Sequence, residues 1–70
     1  MNKASAQTVQ KHILQAMEEL TAALFAAEDG ATPEGYATLK KGIGLALGHI
    51  QMEILEPIYA EHPELDHHKK

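Results

Sequence analysis

One interruption limits what this chain can become. The stretch EDGATPEG, residues 28–35, is the single strong break between two long runs of helical periodicity. Gly30 suits the C′ position that ends a helix, with Asp29 before it. Thr32, Pro33 and Glu34 then supply an N-cap, a first-turn proline and an acidic first turn. A chain with one such break reads as all-α, an antiparallel helical hairpin in one domain over residues 1–70.

The first helix is expected over about 5–29, the turn over about 30–32 and the second helix over about 33–61. In the first, Val9, Ile13, Met17, Leu20, Leu24 and Ala27 recur at spacings of 4, 4, 3, 4 and 3, an amphipathic stripe. Leu14, Thr21 and Phe25 widen one edge of it. In the second, the stripe is Tyr36, Leu39, Ile43, Leu47, Ile50, Ile54 and Ile58. Pro57 removes a backbone donor and clashes with the carbonyl four residues back, so a kink or break is expected there. The polar tail, residues 63–70, is expected to be flexible, and its HHKK end is ambiguous between native and adventitious sequence.

Composition limits the function. The 70 residues contain no cysteine, which removes disulfides, thiolate metal ligands and thiol nucleophiles. Chains of about this length rarely sustain a core without a staple or a partner. A net charge of -4 argues against nucleic acid, which prefers a basic face. The start, MNKASAQTVQKH, lacks the apolar core of a signal peptide, and no apolar run is long enough to span a bilayer. A cytoplasmic location is expected.

Three glycines sit in KKGIGLALGHIQMEIL, residues 40–55, although each costs roughly 0.5–1 kcal/mol against alanine inside a helix. On a wheel of about 100° per residue, Gly44 and Gly48 lie nearly opposite the stripe that faces the first helix. Leu45, Met52, Leu55 and Tyr59 surround them. The second helix is thus apolar on two faces, and the second face needs a cover. The expected cover is a second copy: a homodimer across Gly44 and Gly48, forming a four-helix bundle with the first helix outside. Gly42 lies on the polar seam. A glycine-rich phosphate loop is rejected, because no strand or βαβ unit surrounds these glycines.

His12, His49 and Glu53 fall on one seam of the hairpin and form a candidate divalent-metal constellation. The competing reading is a solvated polar seam, since no HExxH or paired ExxH motif is present. Glu18, Glu19, Glu53, Glu56, Glu61 and Glu64 form no converging acid–base pair, and the hydroxyl residues show no triad. No enzyme activity and no cofactor are expected. In outline the hairpin resembles the RNA-binding regulators of plasmid copy number, which are also short dimeric α-hairpins. That resemblance is one of architecture without a shared motif, and it implies a nucleic-acid-binding alternative. Lys3, Lys11, Lys40 and Lys41 form no continuous basic stripe. The leading expectation is a small non-enzymatic interaction module, an adaptor, co-chaperone or regulator, whose partner is itself or another protein. Its contact residues would be Gly44, Leu45, Gly48, Met52, Leu55 and Tyr59.

Overall fold

A computed structural model describes residues 1–66. Helix α1 spans Lys3–Ala27 and α2 spans Pro33–Ile50. A π-helical turn, Gln51–Leu55, carries the chain into α3, Glu56–Glu61, and a 3₁₀ turn, Pro63–Leu65, closes the described part. The result is an all-helical hairpin, with no strand among the described residues.

The start of α1 lies before Ser5, because Asn2 provides the cap: its extended backbone lets the side-chain oxygen accept from the Ser5 N–H at 2.8 Å. The end also comes early. Gly30 does not take the left-handed conformation of a C′ glycine, for no glycine has positive φ. The helix instead tightens through Glu28 N–H to Phe25 O and Gly30 N–H to Ala27 O, three-residue closures that satisfy its last carbonyls. At α2 the local chemistry is as the sequence implies. Thr32 Oγ1 accepts from the Gly35 N–H at 3.1 Å, with Pro33 in the first turn and Glu34 beside the helix N-terminus.

Pro57 neither breaks nor ends the helix. The adjustment occurs one turn earlier, where the Glu56 N–H donates to Gln51 O, five residues back. A widened turn moves the backbone away from the proline ring, which an α-turn would press against a carbonyl. Gln51 Nε2 also donates to the Glu56 carboxylate at 2.8 Å, a side-chain tie across the same five-residue step.

The extra residue in that turn rotates everything after it. Up to Ile50 the expected stripe holds: Ile43 is buried and Tyr36, Leu47 and Ile50 are half-buried, while Leu39 is exposed. From the turn onward Ile54 is displaced outward, and Leu55, Ile58 and Tyr59 are buried; of these, Ile58 alone belongs to the expected stripe. The three form the core with Ala6 and Leu65, backed by Val9, Ile13 and Met17. Leu55, only 1% exposed, is the most completely buried large side chain. The core therefore sits at the open end of the hairpin, remote from the turn.

The tail is not free over its first residues. The 3₁₀ turn brings Leu65 into the core, and the buried Gln10 fastens it: Nε2 donates to Leu65 O at 2.8 Å and to the Tyr59 hydroxyl at 3.2 Å. The HHKK end, residues 67–70, lies outside the described residues.

Candidate interaction face

Four of the six expected contact residues remain exposed, three on α2 and Met52 on the π turn that follows it. Gly44 and Gly48 are exposed, Leu45 is 66% exposed and Met52 is 69% exposed. With His49 and Glu53 they line a shallow depression. A Cβ built on Gly44 or Gly48 would meet nothing within 4 Å. The hairpin itself thus makes no use of either missing side chain. The same holds for Gly42, and nothing in the structure explains that residue.

The other two contact residues are corrected. Leu55 and Tyr59 lie in the intramolecular core, because the π turn advances them by about one residue, roughly 100°, relative to an uninterrupted helix. Periodicity alone carries no mark of that extra residue.

A second apolar surface lies on α1. Leu14, Met17, Thr21, Ala22 and Phe25 line a groove that runs across to Leu47 of α2, with Glu18 at its rim. Phe25 is 64% exposed and Leu14 is 38% exposed. The groove shows which way the hairpin faces. Leu47 borders it, and Gly44 and Gly48 lie about 60° and about 100° round the helix from Leu47 on that same side, so they sit beside the inward stripe at roughly a quarter to a third of a turn and not opposite it as expected. The Leu14–Phe25 ridge and the Gly44–Gly48 notch therefore open onto one broad side of the molecule. In the sequence Leu14 and Phe25 only widen one edge of the α1 stripe; their alignment with the glycines emerges when the two helical wheels are paired.

The metal constellation does not assemble. His12, His49 and Glu53 are all exposed, and among the described residues no three His, Asp or Glu side chains are placed to hold an ion. An i,i+4 pair such as His49 and Glu53 needs a third donor converging from the other helix, and His12 does not provide it.

Charged groups gather instead at the open end. The Met1 ammonium lies 2.7 Å from Glu61, and Lys3 Nζ lies 3.7 Å from Glu64. His62 Nε2 sits 2.9 Å from Met1 O and 3.2 Å from Glu61, with Nδ1 3.7 Å from Glu64. The hydrogen bond and charge of the ammonium hold the Glu61 carboxyl below its ordinary value, with His62 adding to the effect. Glu64 is lowered chiefly by the hydrogen bond from its own backbone N–H, then by Lys3 and His62. These contacts pin the 3₁₀ turn to the start of α1, and their chemistry is structural.

No described helix is long and apolar enough to cross a membrane. No protein-family model, curated protein or solved structure matches the chain.

Proposed function

We propose that this chain is a small non-enzymatic interaction module that self-associates through the side carrying Gly44, Leu45, Gly48 and Met52, as a homodimeric four-helix bundle of adaptor or regulator type. One observation carries the reading: α2 keeps two glycines, four residues apart, where the hairpin leaves open space at both. Each costs helix stability, and a close-packed neighbour is the physical circumstance that makes the missing Cβ useful.

The shape supports the same reading. The hairpin is one helix layer, 45 × 21 × 17 Å, whereas stable domains are built from at least two packed layers. Light scattering on the purified protein tests the proposal. A dimer at micromolar concentration is expected; a monomer there overturns it. Gly48→Leu is expected to abolish the dimer while leaving helical content intact, whereas Ala23→Leu, exposed on the opposite broad side of α1, leaves association unchanged.

A further inference from the structure

We infer that the partner is a second copy packed crosswise, α1 of each hairpin over α2 of the other, with Leu14 seated on the partner's Gly48 and Phe25 on the partner's Ala37. The inference rests on the self-association proposed above and replaces the arrangement expected from the sequence, with the first helix outside, by one in which α1 forms half of the contact. On the broad side described above, Leu14, Glu18, Thr21 and Phe25 of α1 follow one another at spacings of 4, 3 and 4. Ala37, Lys41, Gly44 and Gly48 of α2 follow at the same spacings. All eight are exposed in the single chain.

The heights match as well. Counting outward from the turn at about 1.5 Å per residue, Leu14 is level with Gly48, Glu18 with Gly44, Thr21 with Lys41 and Phe25 with Ala37, to within about one residue. A two-fold axis parallel to the helices, set between two hairpins facing each other, places α1 over the partner's α2 without changing any height. Both bulky apolar side chains of the ridge then meet a glycine or alanine, the alternation of large and small that lets layers interdigitate. Glu18 meets a bare glycine, which leaves its carboxylate beside the partner's Lys40 and Lys41, a complementary pair of charges.

The other face-to-face two-fold axis runs across the helices and stacks each helix on its own copy. That arrangement sets Leu14 and Phe25 against α1 and glycine against glycine, so the layers separate along α1 and close along α2. Only the crosswise axis keeps one spacing over the whole side.

The chain has no native cysteine, so site-directed thiols report the arrangement directly. Leu14→Cys and Gly48→Cys, mixed in equal amounts in a glutathione buffer, are expected to form a disulfide between the two variants about tenfold in excess of either variant's link to itself, since the bond needs Cα atoms within about 7 Å. Gly48→Cys linking to itself as readily as to Leu14→Cys overturns the crosswise arrangement. So does the absence of any link in a sample that light scattering shows to be dimeric. A monomer by light scattering fails the self-association reading instead, which keeps the two failures distinct. Charge reversal gives a thiol-free check. Glu18→Lys is expected to weaken dimerisation several-fold and Lys41→Glu to restore it in the double variant; no rescue contradicts the crosswise packing.

Discussion

Gln10 shows how much one polar side chain can hold in a thin fold. It is buried, and its amide joins Leu65 O and the Tyr59 hydroxyl, so one group fastens α3 and the 3₁₀ turn to α1. Removing a partner from buried polar groups costs about 1–3 kcal/mol, more than the net value of the bond. Gln10→Ala is expected to destabilise the protein by about that amount in urea unfolding, and Tyr59→Phe by clearly less, because the bond to Leu65 O survives it. Equal losses would mean that Gln10 acts through Tyr59 alone. Glu61 and Glu64 act at the same end by charge. Both carboxyls are lowered in the folded state, so their contribution is present above the ordinary glutamate value and is lost as pH falls through the lowered values. Carboxyl chemical shifts followed by NMR should show both titrating below the ordinary glutamate value, with the Leu65 contacts loosening over the same range. Titration of both at the ordinary glutamate value would remove the electrostatic role.

The π turn decides which residues of the second helical segment face α1. Its single extra residue puts Leu55 and Tyr59 into the core and leaves Ile54 outside. Deleting Ile54 while replacing Pro57 by Ala is therefore expected to give a continuous α-helix with Leu55, Ile58 and Tyr59 in the same phase. Stability should stay within about 1 kcal/mol of the parent, since core phase, rather than length, is what the site requires. An alanine inserted after Met52 turns these residues a further ~100° outward and should cost several kcal/mol. Thermal melts of the two variants check the pair, and similar melts would show that phase is not controlled here. This turn also separates what could be read in the sequence from what could not. Thr32, Pro33 and Glu34 were legible because a cap depends on neighbours within three residues. The stripe from Val9 to Ala27 was legible because burial imprints the helical period. Leu55 and Tyr59 were not, because a π turn is repaid by distant contacts to Ala6, Val9 and Gln10. Pro57 signalled that some adjustment was needed, yet it did not say that the adjustment would be a widened turn. Of the candidate face, Gly44, Leu45, Gly48 and Met52 were legible as surplus apolar surface. Their alignment with Leu14 and Phe25 required the pairing of both helices.

The hairpin as an object is thin and long. Its radius of gyration is 14.7 Å, against about 11 Å for a compact domain of the same length. Its buried hydrophobic core comprises Ala6, Ile43, Leu55, Ile58, Tyr59 and Leu65, most of it at the open end. From Leu14 to the turn, the described apolar residues are largely half-buried or exposed. Such a layer gains stability mainly by covering its broad side, and when the cover is a second copy, folding and association become one equilibrium. Mass action then sets the melting temperature. A dimer of two such chains unfolds with an enthalpy of order 100 kcal/mol, from about 0.7 kcal/mol per residue, so each tenfold rise in protein concentration should raise the melting temperature by about 5 °C. Gly48→Leu should flatten this dependence, because it blocks the contact while leaving the monomer's core untouched. Gly42→Ala should retain it and raise the whole curve, since a Cβ there meets nothing and alanine favours the helix by up to about 1 kcal/mol. Calorimetry over a hundredfold range of concentration distinguishes the cases. A parent protein whose melting temperature does not move over that range would be a hairpin stable alone, and its glycines would then have no partner to serve.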